Sequence, residues 1–180
     1  MNIKNGKEML RRCSEENLSI GEFTLKQEME ESGLSYEEVY GRMVENLRVM
    51  EFSTTKGVGE KVISVSGLIG GDAYRMGKYL DKGQSVSGRV MVKAMSYALS
   101  CSEVNASMGK IVACPTAGAC GILPAVIMTM KEEHEIEEKD LIMGLFASAG
   151  VGAIIAQNAT ISGAEGGCQA ECGSAAAMAA

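Results

Sequence analysis

What most limits the fold of this chain is how little charge its second half carries. From Ala94 to Met130 only Glu103 and Lys110 are ionised, and from Leu141 to Ala180 only Glu165 and Glu171. Helices that face water carry a polar stripe, so stretches this poor in charge belong in a core, a bilayer or an interface. No part of them alternates apolar with polar residues as a half-buried strand does. The first half is charged and patterned at helical spacing. Ser19-Ile-Gly-Glu22 is a capping box ahead of Phe23 to Glu31, with Gly33 as the stop. Ser35-Tyr-Glu-Glu38 is a second one, and Val39, Tyr40, Met43, Val44, Leu47 and Met50 recur behind it on one helical face. Val58 to Asp72 is rich in glycine and reads as a loop. A short helix from Ala73 to Lys82 ends at Gly83, and another follows Ser85 or Ser87 to about Ser100. The sequence predicts an all-α fold with a buried central helix rich in small residues.

That central helix is Leu141 to Ala156. Its continuously apolar part is shorter than the roughly 20 residues a bilayer span needs, and no Lys or Arg follows it. A buried helix packed closely through Gly144, Ser148 and Gly152 accounts for it better than a membrane segment. The N-terminal sequence lacks the apolar core of a signal peptide, so a cytoplasmic protein with reduced thiols is expected. Lys+Arg 17 against Asp+Glu 23 gives a net charge of −6, with 4% aromatic residues and no Trp. That balance argues against nucleic acid and anionic membranes as partners. The one histidine, His134, sits in the acidic run from Lys131 to Asp140, where a surface position is expected. Mechanisms that need an internal imidazole, such as a Ser-His-Asp triad or His-ligated zinc, lose their main component.

Two glycine-rich junctions interrupt the uncharged half. The first runs Asn105-Ala-Ser-Met-Gly-Lys-Ile-Val-Ala-Cys-Pro-Thr-Ala-Gly-Ala-Cys-Gly121. Thr116, Gly118 and Gly121 precede an apolar helix, where small residues let backbone N–H groups converge on an anion such as a substrate carboxylate. Lys110 adds a charge. A tight interhelical turn packed by small residues would have the same composition. The second junction runs from Asn158 to Cys172 and packs Asn158, Ser162, Glu165, Gln169 and Glu171 into an apolar neighbourhood. If buried, each needs a partner, which ordinary core segments avoid. Six cysteines are present, and Cys114/Cys120 and Cys168/Cys172 are spaced Cys-x5-Cys and Cys-x3-Cys. Neither spacing is that of a zinc ribbon or ferredoxin cluster, so buried thiols acting as small apolar residues remain an alternative.

Four segments resemble one family. Cys114-Pro-Thr-Ala-Gly-Ala-Cys-Gly-Ile-Leu-Pro124, Asn158-Ala-Thr-Ile-Ser-Gly-Ala-Glu-Gly-Gly-Cys-Gln-Ala-Glu171, Ser66-Gly-Leu-Ile-Gly-Gly-Asp-Ala73 and Glu103-Val-Asn-Ala-Ser-Met-Gly109 are similar to the alpha chain of iron–sulfur-dependent L-serine dehydratase, in the same order. The resemblance runs from roughly Lys26 to Ala180. It implies an all-helical catalytic domain with a [4Fe–4S] cluster, which converts L-serine to pyruvate and ammonia and is completed by a separate beta chain. It also implies that Cys168 is a cluster ligand. Two further ligand cysteines of the family lie in a later Cys-x-Pro-Val-Ala-Gly…Pro-Cys stretch absent here, so residues 1–180 are expected to be the N-terminal part of the domain, inactive alone. Cys114 and Cys172 depart from the family pattern and Cys120 varies in it. These three are not carried over as ligands, although adventitious metal capture by them stays open.

The implied chemistry uses an open iron as a Lewis acid on the serine hydroxyl while a base removes the Cα proton. The carboxylate is expected at Thr116 to Gly121, with Lys110, Asn158, Ser162 and Glu165 as further contacts. The base is not identifiable, and a homo-oligomer stays open. Two other readings remain: a cluster-dependent L-cysteine desulfidase, separated by comparing serine and cysteine as substrates, and a non-catalytic helical scaffold, which would show no cluster absorption. A pyridoxal phosphate dehydratase fits poorly, since it needs a Schiff-base lysine in a βα-rich fold and only Lys110 lies near a candidate loop.

Overall fold

The computed structural model of the chain describes residues 3–83 and 85–180. Among them are eight α-helices: α1 (Gly6–Glu16), α2 (Ile20–Ser32), α3 (Tyr36–Gly59), α4 (Asp72–Asp81), α5 (Arg89–Ala106), α6 (Ile122–His134), α7 (Glu138–Asn158) and α8 (Gly163–Ala179), with one 3₁₀ turn at Ala117–Ala119. The described residues contain no strand, only an isolated bridge between Ile63 and Gly70. The all-α expectation holds.

Both capping boxes form. Ser19 Oγ accepts from Glu22 N at 3.2 Å while Glu22 Oε2 accepts from Ser19 N at 2.8 Å. Ser35 and Glu38 repeat the exchange at 3.3 and 2.9 Å. Four boundaries differ from the sequence reading. Helix α3 continues through Val58 to Gly59, because Gly57 packs on α5 and its N–H donates to Ser100 Oγ at 2.7 Å. Helix α5 runs on past Ser100 to Ala106. Helix α1 was not foreseen; Asn5 caps its start and Asn17, in the left-handed region, its end. Helix α8 begins at Gly163, inside the stretch from Asn158 to Cys172 that reads as a junction in the sequence.

The chain forms two compact units. The first comprises the described residues of Met1–Leu47 and Glu137–Ala180. In it α2 packs on α7 and α7 on α8. Gly21 makes the first contact close, since a Cβ there would lie 2.3 Å from Met143 O. Ile3, Met9, Cys13 and Phe23 form a small core, with Leu18, Ile20 and Ile154 against it. Helix α7 is long and apolar enough to cross a membrane by composition, and 39% of its most apolar window is buried. Its buried residues are Leu141, Ile142, Leu145, Phe146, Ser148 and Gly150, and none lies beyond Gly150. Gly152 packs on Met178, as the sequence reading required, but Gly144 faces open space; the tight contact is Gly150 against Thr24.

The second unit is Arg48–Ile136, where α5 packs against both α4 and α6. Lys93 on α5, 8% exposed, pairs with Glu132 (3.0 Å) and Glu133 of α6, and Tyr97 OH donates to Glu132 at 2.7 Å. Burial works to lower the Lys93 pKa, but the bonds to Glu133 and Glu132 outweigh it and leave the ammonium above its ordinary value. His134 is exposed at the end of α6, as expected.

Candidate functional site

The second unit brings three of the four resembling segments together at the C-terminal end of α5. Helix α4 starts at Asp72 with no side-chain cap of its own, its N-cap being Gly71 at φ 77°. The cap comes from α5: Glu103 Oε1 accepts from Asp72 N at 2.5 Å and Ala73 N at 3.1 Å. A carboxylate there satisfies orphan amides and meets the positive end of the helix dipole. Glu103 is 4% exposed, and its Oε2 is buried without a hydrogen-bond partner among the described residues. Val65 N donates to Ala106 O at 3.1 Å, which ties the loop before α4 to the end of α5. Gly70, at φ 138°, is required there because a Cβ would sit 2.2 Å from Val62 O. Asn105 Nδ2 donates to Ala117 O at 3.0 Å and fastens the third segment.

That third segment carries the sequence-predicted residues of the first junction. Thr116 is half-buried and precedes the 3₁₀ turn; Gly118 is exposed on it. Gly121 is buried at the N-terminus of α6, which has no side-chain cap. A Cβ on Gly121 would lie 2.6 Å from Ala98 O, so glycine lets α6 begin against the α5 backbone. Lys110 is exposed on the connection from α5. Three thiols lie close by. Cys120 Sγ contacts Cys101 O, Cys114 Sγ contacts Cys120 O, both at 3.9 Å, and Cys101 Sγ is 3.4 Å from Ser53 Oγ. Burial pushes the Cys101 and Cys114 thiols up to about 12 and raises Cys120 as well. They are protonated, inert core thiols.

The second junction lies in the first unit and is open. Asn158 Nδ2 donates to Lys4 O and Ile154 O, both at 2.8 Å. Thr160 OH donates to Glu165 Oε2 at 2.7 Å. Ser162 is the N-cap residue of α8, its O accepting from Glu165 N and Gly166 N. Asn158 and Glu165 are exposed and Ser162 half-buried, so the desolvation cost expected of buried polar groups does not arise. Cys168 follows a break in α8 at Gly167 (φ 72°, ψ −178°) and is exposed. Cys172 lies one turn on, with the two Sγ atoms 3.5 Å apart. The two thiols therefore share one face of the helix.

No group of three His, Cys, Asp or Glu side chains among the described residues converges on a metal position. The residues present do not by themselves fit a four-iron cluster, which needs several thiolates from separated positions. Sequence reasoning placed the motif residues but missed Glu103 as the group that joins two of the segments. Its signal was its isolation, as the sole carboxylate between Ala94 and Met130.

Comparison with known proteins agrees with these segments. Residues 15–180 match the family described as serine dehydratase alpha chain. The chain is 40% identical over 178 residues to the L-serine dehydratase alpha chain of Peptoniphilus asaccharolyticus, covering 99% of this chain and 61% of that protein. It is 42% identical, again over 178 residues, to the probable L-serine dehydratase alpha chain of Bacillus subtilis, covering 99% and 59%. An L-serine dehydratase of Streptomyces coelicolor is 34% identical over 180 residues, 99% of this chain and 39% of that one. The chain thus spans about three fifths of the first two relatives. With the family matched over residues 15–180, the chain belongs to the serine dehydratase alpha chain family.

Proposed function

We propose that this chain is part of the alpha subunit of a cytoplasmic, iron–sulfur-dependent L-serine dehydratase, a lyase that releases pyruvate and ammonia and works with a beta chain. The observation that carries the reading is the convergence of Ser66–Ala73, Glu103–Gly109 and Cys114–Gly121 in one unit, pinned by Glu103 and Asn105. The uncapped start of α6, with Thr116, Gly118 and Gly121, receives the substrate carboxylate through backbone N–H groups, and Lys110 adds positive charge. Glu103 holds the loop and α4 in register with that turn and does not itself react. In the other unit Asn158, Ser162 and Glu165 fix the segment that carries Cys168. Cys168 is the residue that would hold a [4Fe–4S] cluster, together with thiolates that these 180 residues do not gather. Such a group, when bound, supplies a Lewis acid for the serine hydroxyl. The one histidine is exposed at the end of α6, so an imidazole base would come from another segment or chain.

The test is anaerobic reconstitution with iron and sulfide, followed by a pyruvate assay, on this chain and on a full alpha–beta pair. The pair is expected to turn over serine in preference to cysteine and to lose that activity on Cys168→Ala. The 180-residue chain alone is expected to hold no four-iron centre. Four-iron stoichiometry with turnover in the short chain would overturn the ligand assignment. Sulfide release from cysteine in preference to serine turnover would overturn the substrate.

A further inference from the structure

Of the six thiols, Cys13, Cys101, Cys114 and Cys120 are buried, while Cys168 is exposed and Cys172 half-exposed. Those last two are also the pair whose sulfur atoms meet, at 3.5 Å. We propose that, in the iron-free chain, Cys168 and Cys172 form a reversible dithiol–disulfide site.

The backbone brings the pair close to bonding range. Residues one turn apart on an α-helix have Cα atoms roughly 6.2 Å apart, from the rise and radius of the helix. That falls inside the span of about 4.4–6.8 Å that disulfides bridge. Bringing the sulfur atoms from 3.5 Å to bonding distance takes side-chain rotation and a small unwinding of the first turn. The flanking glycines allow it. Gly167 breaks the helix immediately before Cys168, Gly173 follows Cys172, and a Cβ at either would meet no atom within 4 Å. The positions on either side of the pair therefore have no packed neighbour to resist a small adjustment.

The reaction is thiol–disulfide exchange with a low-molecular-weight disulfide, RSSR. The Cys168 thiolate attacks one sulfur of RSSR, forming a mixed disulfide and releasing RS⁻. The Cys172 thiolate then attacks the Cys168 sulfur, forms the Cys168–Cys172 bond and releases the second RS⁻. Two thiols lose two electrons to RSSR, and their two protons leave with the released thiolates. An excess of reduced thiol reverses both steps. The proposal does not depend on Cys168 carrying iron. If it does, oxidation removes the thiolate that a metal would need.

The test uses the 180-residue chain, glutathione disulfide and no iron. The chain has no Lys or Arg after Lys139, so cleavage at basic residues isolates Asp140–Ala180, which contains these two cysteines and no other. After limited oxidation that fragment is expected to be lighter by two hydrogens, with no bound glutathione, and dithiothreitol should restore it. Its thiols should disappear at least about tenfold faster than those of Cys101, Cys114 and Cys120, whose access is blocked. Cys172→Ala and Cys172→Ser should each retain one glutathione on Cys168, with unchanged far-ultraviolet circular dichroism. A persistent glutathione adduct on the unsubstituted fragment, two unreacted thiols, or an intermolecular link would each overturn the proposal. None of these readouts involves lyase activity, so the two readings fail separately.

Discussion

The two glycine-rich junctions have nearly the same composition and opposite surroundings. The junction before α6 is closed: Gly121 touches the α5 backbone, Glu103 is buried across a helix start, and three thiols lie in the core. The one that opens α8 is exposed: Gly167 and Gly173 face open space, Asn158 donates to Lys4 O and Ile154 O, and Thr160 donates to Glu165. Small residues therefore serve two ends. In the first they let backbones approach; in the second they leave the chain free to bend around a pair of thiols. What separates the cases is what a Cβ would meet: at Gly121 the backbone of another helix, at Gly163 and Gly166 only side chains of the same junction, and at Gly167 nothing.

The largest effect expected is at the closed junction. Gly121→Val drives a branched side chain into Ala98 O, which a Cβ alone would approach to 2.6 Å. Neither backbone can move without breaking helix hydrogen bonds, so a loss of about 3 kcal/mol or more is expected by urea unfolding. An unchanged midpoint would show that α5 and α6 do not meet there. Next in size is Glu103→Ala, which strands the Asp72 and Ala73 amides and should cost about 2 kcal/mol. Glu103→Gln keeps one acceptor oxygen and should cost about half as much. Equal losses would mean that the charge, and not the acceptor geometry, holds α4.

The buried thiols give the closed junction a pH signature. Cys101 and Cys114 titrate near 12 when folded, against an ordinary 9.0. The folded chain keeps protons that the unfolded chain has lost, so this contribution is complete below pH 9 and declines as pH rises towards 12. Each such thiol contributes a slope of about 1.4 kcal/mol per pH unit over that interval. Cys101→Ala should make the alkaline decline shallower by about that amount, read from unfolding midpoints at several pH values. Tyr97, raised by burial and by its bond to Glu132, steepens the decline above pH 10 in both proteins. An alkaline slope unaffected by Cys101→Ala would place that thiol in contact with water.

Local signals were legible in the sequence, and contacts between distant segments were not. Ser19/Glu22 and Ser35/Glu38 form the bonds their spacing requires, because both partners lie within four residues. Val58 read as loop because Gly57 and Gly59 lower helix propensity, yet the Gly57–Ser100 contact keeps α3 helical. Helix α1 has two buried residues, Met9 and Cys13, too few to stand out as a periodic face. The motif residues of the first junction were readable as a turn before a helix. The bond from Glu103 to the start of α4 was not, since it joins residues 30 and 31 apart and leaves no local pattern. Polar residues around Cys168 pointed to buried partners, but the segment lies at the surface, where water and neighbouring residues satisfy them.

The smallest expected effect tests the open junction. Gly173 has helical backbone angles inside α8, and a Cβ there would meet nothing within 4 Å. Its absent side chain has no packing role, so its main effect is the backbone entropy lost when glycine becomes helical. Gly173→Ala should therefore stabilise the chain by about 0.5–1 kcal/mol, with the sign opposite to Gly121→Val. Gly167→Ala is the control. At φ 72° and ψ −178° it holds a backbone conformation essentially confined to glycine, so alanine should cost about 1–3 kcal/mol despite equal space. Urea midpoints at two protein concentrations complete the test. A gain at Gly173 with a loss at Gly167 means that the segment is open and that conformation alone decides. A loss at Gly173, growing with concentration, means that another molecule covers this face in solution, and the contrast between the two junctions would then hold for the isolated chain alone.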